Sequence, residues 1–391
     1  MENIPSKLII IMSLFVLCGG ESHAANFAKG LEAYDAKDFV SARRIWQDLA
    51  EQGHANAQMN LGLMYDFGKG TKKNYKKAKR WYSRAAEQGH ANAQNKLGSM
   101  YDKGKGVEQD LIEAAKWYRK SAEQGNPNAQ VRLGLMHYKG DGVTQNYLEA
   151  IKWYQKAADQ MHAGAQFNLG KVYQNGKGIK QDQKKAAIWY RKAAEQGHAS
   201  AQLSLGLMYK NGNGVDKNYK EALKWHLKSA ESGLALAQYS LGLIYRHRKD
   251  LGYMYKQEKG MGVNQGKKEA VKWYRKAAEQ GLAKAQNNLG TMYEKGSGVL
   301  QDKQEALKWY LNAAEQGYAP AQVNLGLMYY NGDAVKKDNA YAHMWWSISS
   351  SAGSATALKN LDIIEKKMTK SDIFRAKKLK QECTNKKYKG C

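Results

Sequence analysis

Apolar residues along this chain fall into two short stripes separated by polar, glycine-marked breaks, and the alternation returns every 36 residues. Between His54 and Gly89, the residues Ala57, Leu61, Gly62, Met64 and Tyr65 stand three and four apart, which places them along one face of a helix, termed A. Gly68 and Gly70 interrupt the stripe. The recurring Gly-x-Gly followed by Val, as in Gly104-Lys105-Gly106-Val107, fits a turn whose glycines take positive φ while the valine plugs the core. Ala78, Trp81, Tyr82, Ala85 and Ala86 form the second stripe, helix B, which closes on Glu-Gln-Gly with a glycine suited to the left-handed cap. The start of helix B is marked by Asp110 with Glu113, Asn146 with Glu149, Asn218 with Glu221 and Asp302 with Glu305. Each pair has the spacing of a capping residue and its reciprocal partner.

The beat is kept across most of the chain. An Ala-Gln pair ends at Gln58, Gln94, Gln130, Gln166, Gln202 and Gln238, steps once by 48 to Gln286, and resumes at Gln322. Eight of the ten tryptophans fall on one helix B position, from Trp81 to Trp345. A period of this size means stacked supersecondary units. Gly62 and Ala85 have almost no side chain, so neighbouring helices approach closely while Trp81 and Tyr65 fill the space beside them. No single helix pair buries its aromatic face alone, and stacking does so. The cap glycine recurs from Gly53 to Gly353 except at Met161, where the side chain costs that helix end about 1 kcal/mol.

The order Leu-Gly-x-x-Tyr, then Ala, an aromatic and Ala is similar to the tetratricopeptide pattern with a lengthened turn. More closely, Ala57-Gln58-x-x-Leu61-Gly62-x-x-Tyr65, the Gly-x-Gly-Val turn and Glu-Ala-x-Lys-Trp-Tyr-x-Lys-Ala-Ala-Glu-Gln-Gly resemble the Sel-one-like repeat (SLR) family over residues 54–353. The resemblance implies an all-α, right-handed α-solenoid of stacked antiparallel helix pairs, a fold that usually serves protein assembly, frequently in bacterial cell envelopes. Cys383 and Tyr388-Lys389-Gly390-Cys391 also resemble the ends of exported members. The units are 54–89, 90–125, 126–161, 162–197, 198–233, 234–281 with twelve extra residues, 282–317 and 318–353. Residues 25–53 read as a tetratricopeptide-like capping pair, and residues 354–391 as capping helices with a Cys-closed tail.

The N-terminus changes the compartment. Lys7 precedes an apolar run of 11 residues from Leu8 to Cys18, and Ser22-His23-Ala24 places small residues where a signal peptidase reads, so residues 1–24 are expected to be a signal peptide cleaved after Ala24. The run is shorter than a membrane helix needs, and the low mean hydropathy of -0.72 gives no expectation of a span in the mature chain. An exported protein, periplasmic or secreted, meets oxidising conditions. The remaining Cys383 and Cys391 are expected to form a disulfide worth roughly 2.5 kcal/mol, the alternative being two free thiols in a frayed tail.

Chemistry is sparse. His54, His90, His162 and His198 keep the beat, but successive repeats stand about 10 Å apart, whereas zinc ligands lie about 2 Å from one ion. His137 and His226 replace tyrosines of the stripe and read as packed aromatics. The Gly-x-Gly turns lack the third glycine of a dinucleotide fingerprint and the Gly-Lys-Ser/Thr of a P-loop. No metal, cofactor or catalytic residue is therefore expected, and the chain is read as non-enzymatic. The rival enzymatic reading is an envelope hydrolase akin to the cysteine-rich SLR branch associated with β-lactam hydrolysis, whose paired cysteines within each repeat are missing here.

Net charge is +26 with a pI near 9.6. Lys76, Lys77, Lys79 and Arg80 on helix B, with Lys184-Lys185 and Lys267-Lys268, read as a solvated face. Nucleic acid is not expected, because the aromatics belong to the core rather than interleaving with the cations. An acidic protein or an anionic envelope polymer remains the alternative partner, which would make the chain a basic, adhesin-like binder. The preferred function is a protein-interaction scaffold. The helix A positions flanking the Leu-Gly pair are the candidate concave binding face: Met59, Leu63, Val131, Leu135, Phe167, Leu203, Leu207, Tyr239, Leu243, Val323 and Leu327. In other copies these positions hold Asn95, Ser99, Lys171, Asn287 and Thr291, a variability not expected of a core. The insertion is a partial echo, Leu241-Gly242-Leu243-Ile244-Tyr245 returning as Leu251-Gly252-Tyr253-Met254-Tyr255 after Arg246-His247-Arg248-Lys249, and reads as a slippage scar.

Overall fold

A computed structural model describes residues 20–246 and 263–391. The leader before Gly20, the echo Leu251–Tyr255 and residues His247, Arg248 and Lys249 lie outside the described residues. The described residues form helices joined by short turns, in two units, one ending at Gln181 and the other starting at Asp182. The first unit holds α1 (Gly20–Asp35), α2 (Phe39–Glu51), α3 (Ala55–Phe67), α4 (Tyr75–Glu87) and α5 (Ala91–Lys103). It continues through α6 (Leu111–Glu123), α7 (Pro127–Lys139), α8 (Tyr147–Asp159) and α9 (Ala163–Asn175). The second unit holds α10 (Gln183–Glu195), α11 (Ala199–Asn211), α12 (Tyr219–Glu231), α13 (Ala235–Arg246) and α14 (Val263–Glu279). After these come α15 (Ala283–Glu294), α16 (Lys303–Ala314), α17 (Ala319–Asn331), α18 (Asn339–Ser351), α19 (Ala355–Glu365) and α20 (Lys370–Asn385). Within each unit successive helices pack on one another as far as α19, and α20 packs back on α18. The cleavage site expected after Ala24 falls inside α1.

Three devices recur along the described repeats. The helix A glycine receives the aromatic ring of helix B: a Cβ on Gly62 would sit 2.5 Å from the Tyr82 ring, and one on Gly326 would sit 2.2 Å from Trp346 Nε1. The second turn glycine abuts the start of the preceding helix B. At Gly70, where φ is +63°, a Cβ would lie 2.3 Å from the Phe39 carbonyl oxygen, so both the conformation and the space require glycine. The last repeat breaks this rule with Ala334, held at φ 59°.

The third device is a relay of glutamines. Gln58 donates from Nε2 to the Ala50 carbonyl at 3.0 Å, and its own Oε1 accepts from Gln88 at 2.7 Å. The same pair of bonds joins Gln94 to Ala86 and Gln124, Gln130 to Ala122 and Gln160, and Gln286 to Ala278 and Gln316. The repeated Gln thus ties a helix A to the end of the preceding helix B and satisfies a carbonyl the helix leaves open. Where the second glutamine is replaced, by Ser232 or Ala352, the Oε1 of Gln202 or Gln322 is buried without a partner.

Caps differ from the sequence reading in one respect. Asp110, Asn146, Asn218 and Asp302 accept from backbone amides of the first turn. Their expected glutamate partners turn outward instead, each donated to by a lysine three residues on, as in Lys116 to Glu113 at 2.9 Å and Lys152 to Glu149 at 2.6 Å. Helix spacing brings the lysine within reach of the carboxylate and so competes with the reciprocal bond. The full box closes at Thr369 and Asp372 in α20. Met161 takes the left-handed conformation its glycine counterparts take, at φ 61°.

Candidate partner-binding site

Helix A presents two positions beside its Leu-Gly pair, and the structure separates them. At the earlier position Met59, Leu203 and Val323 are buried rather than lining a surface, while Val131, Phe167 and Tyr239 are half-buried. Met59 belongs to the core cluster of Trp46 and Tyr82. Val323 is covered by Trp346, whose Nε1 donates to the Val323 carbonyl at 3.0 Å. Asn287 at this position is also buried, accepting from Asn324 Nδ2 at 3.0 Å. Polar identity therefore did not mark it as exposed, because a hydrogen bond makes a buried amide acceptable.

The later position faces solvent more. Leu63, Leu135 and Leu243 are half-buried, and Leu207 and Leu327 are 42% and 36% exposed. Ser99, Lys171 and Thr291 occupy it in the other copies, and Lys171 places its ammonium over the Phe167 ring at 5.8 Å. The site each unit offers is therefore a file of leucines, Leu63 and Leu135 in the first and Leu207, Leu243 and Leu327 in the second, flanked by half-buried aromatic and aliphatic side chains.

The histidines on the beat are helix caps. Nδ1 of His54, His90, His162 and His198 accepts from the amide three residues on, at 3.2 to 3.3 Å. Burial lowers the pKa of His54, His90 and His162, in keeping with an acceptor that must stay unprotonated. Among the described residues no group of three or more His, Cys, Asp or Glu could hold a metal ion, and no helix is long and apolar enough to cross a membrane.

One constellation escaped the sequence reading. His343 Nε2 lies 2.8 Å from Glu365 Oε1, and its Nδ1 lies 3.2 Å from Ser347 Oγ. The order of groups is that of a nucleophilic triad, yet His343 and Ser347 are buried, and Ser347 sits in the middle of α18, where its own N–H is spent in the helix. Nothing there offers the free backbone donors a developing oxyanion needs. The contact instead pins α19 to α18. Its signal in the sequence was slight: His343 stands where the other repeats hold Lys79, Ala115, Ile151, Ala187, Leu223, Val271 and Leu307.

Cys383 and Cys391 are joined by a disulfide. The loop it closes returns to the end of the seventh repeat: the Gly390 N–H donates to Glu315 Oε1 at 3.0 Å, and the Tyr388 ring lies against Gly317. The tail is therefore a clip on the α16–α17 corner rather than a frayed end.

Stacked helix pairs with glycine-seated aromatics define a helical repeat scaffold of the solenoid class. A scan of protein families matches the Sel1 repeat at residues 55–90, 91–126, 127–162, 163–198, 199–234, 235–282, 283–318 and 319–354, and the chain belongs to that family. Among solved structures it is 32% identical to a protective antigen present in uropathogenic Escherichia coli strains that displays an SLR fold, over 94% of each chain with a TM-score of 0.51. It is 34% identical to a Sel1 repeat protein from Oxalobacter formigenes, over 65% of this chain and 99% of that one with a TM-score of 0.59. A comparison with curated proteins gives no match. Sel1 repeat proteins generally mediate protein–protein interaction, and their scaffold is typically non-catalytic.

Proposed function

We propose that the chain is an exported scaffold that holds a segment of a partner protein against the leucine file of its A helices. The observation that carries this reading is the exposure of Leu207 and Leu327 at a repeat position whose other occupants include Ser, Thr and Lys. The scaffold does not need an apolar side chain there, so leucine at this position supports contact with something outside the chain. An amphipathic helix with anchors at i, i+3 and i+7, or an extended segment, fits a file of single leucines.

Export is part of the same reading, supported by the leader-like sequence before Ala24 and by the disulfide, a bond that persists in oxidising compartments. The mass of the protein recovered outside the cytoplasm tests it, the expected product beginning at Ala25. For the scaffold, the partner is captured from envelope extract by the wild type and by a variant with Leu63, Leu135, Leu207 and Leu243 changed to Asp. Circular dichroism controls for folding. Loss of one specific partner in the variant is the expected result, and capture that survives the four changes overturns the assignment.

A further inference from the structure

The first Sel1 repeat differs from its neighbours in charge. Between Lys69 and Arg84 it carries eight cations and no carboxylate. Where the second repeat holds Glu108, Asp110 and Glu113, the first holds Lys72, Asn74 and Lys77. The exchange removes an ion pair that helix B forms elsewhere, as in Glu113 with Lys116, Glu149 with Lys152, Glu221 with Lys224 and Glu305 with Lys308. In α4 those two positions are Lys77 and Arg80, both exposed, and none of the eight cations pairs with a carboxylate among the described residues.

Helix stability does not account for this arrangement. Lys76 and Lys77 stand in the first turn of α4, at the positive end of the helix dipole, with no acidic residue there. The side chains are nevertheless held in place. Lys73 lies 5.7 Å from the Tyr75 ring centre, Lys77 lies 5.3 Å from Tyr65, Lys79 lies 5.6 Å from Tyr101, and Arg84 lies 4.8 Å from Trp81. A cation resting on a ring keeps donors free on its outer side and has less rotamer freedom to lose on binding. Lys77 and Arg80 stand three residues apart on α4, about 6 Å apart along the helix surface, with Lys72 in the turn before them. An extended peptide with a carboxylate at every second residue repeats at about 6.7 Å and so matches the row.

We propose that α4 and the turn before it bind an acidic segment of a partner protein, whose carboxylates face Lys72, Lys77 and Arg80. The proposal rests on the scaffold reading only in taking the occupant to be a protein; its contact surface is a different one. Binding is driven by charge complementarity and weakens with salt.

The test is fluorescence anisotropy of a labelled peptide of alternating Glu and Ser, titrated with the full chain. Lys72→Glu with Lys77→Glu restores the pattern of the second repeat and is expected to fold. It weakens binding about tenfold, and the corresponding pair of Gln substitutions weakens it by a smaller factor. Lys377→Glu with Lys378→Glu makes the same change in net charge on exposed residues of α20 and leaves the affinity within about twofold. Equal losses from the two Glu pairs, or no loss from the first, overturn the proposal. So does tight binding of polyphosphate or of phosphatidylglycerol vesicles through Lys72 and Lys77 with the acidic peptide left unbound. The four Leu→Asp changes leave peptide binding intact, so failure of the leucine file and failure of the basic row are read separately.

Discussion

His226 occupies a helix B position that six other repeats fill with Tyr82, Tyr118, Tyr154, Tyr190, Tyr274 and Tyr310. It is 1% exposed, packs against Gly206, and has no hydrogen-bond partner at either ring nitrogen. Burial first and the nearby Lys210 second lower its pKa from 6.5 to about 4. Lys210 stands where Tyr82, Tyr118 and Tyr310 find Asp66, Asp102 and Glu294. A depressed folded-state pKa means that the neutral ring is the stable one. Its contribution is complete above pH 6.5 and is lost as the pH falls toward 4. The fall from 6.5 to about 4 corresponds to about 3 kcal/mol in full, most of which is lost by pH 4.5. His226→Tyr removes the titrating group and restores the residue the other repeats accept. Repeat arrays open locally, so the assay is hydrogen exchange at the α12 amides of wild type and variant between pH 7.5 and 4.5, corrected for intrinsic exchange. The other histidines are common to both proteins and cancel. The variant is expected to be at least as protected at pH 7.5, with the gap widening by about 2–3 kcal/mol at pH 4.5. A gap that stays constant across this range refutes the reasoning.

Four further predictions concern the glycines, caps and glutamines of the repeat. Gly62→Ala drives a Cβ to within 2.5 Å of the Tyr82 ring, and thermal unfolding should show a loss of at least about 2 kcal/mol. Gly89→Ala meets no atom within 4 Å but sits at φ +89°, so its loss is limited to about 1–2 kcal/mol; a larger effect at Gly89 than at Gly62 would contradict the packing argument. Met161→Gly relieves a side chain at positive φ that is 64% exposed, and denaturant unfolding should show a gain of about 1 kcal/mol. Ser232→Gln supplies the missing donor to Gln202 and should add about 1 kcal/mol, whereas the same change paired with Gln202→Leu should add nothing.

The helices, their order and the turn glycines could be read from the sequence because each depends on residues within one period. Trp81, Gly62 and the cap glycines announce themselves by returning. What depends on the neighbouring repeat could not be read so directly. That the Gln58 carbonyl oxygen accepts from Gln88, thirty residues on, emerges only when the helices are placed together. The burial of Met59 and Val323 follows from contacts with Trp46 and Trp346, residues outside the motif that suggested a groove. The capping role of His54 and His90 was hidden because histidine is a rare cap and Nδ1 geometry is tertiary detail. The contact between His343 and Glu365 joins two helices whose pairing ends the beat, where a periodic argument has least to say.

The central claim is that the invariant residues of the repeat build the scaffold while the leucine file meets the partner. Photo-crosslinking tests it most directly, with a benzophenone amino acid placed in turn at position 207, on the proposed face, and at position 224, on the exposed side of α12, in protein exposed to its natural extract. The account predicts a crosslinked partner from position 207 and none from position 224. Crosslinks from 224 with none from 207 would place the partner on helix B and contradict it.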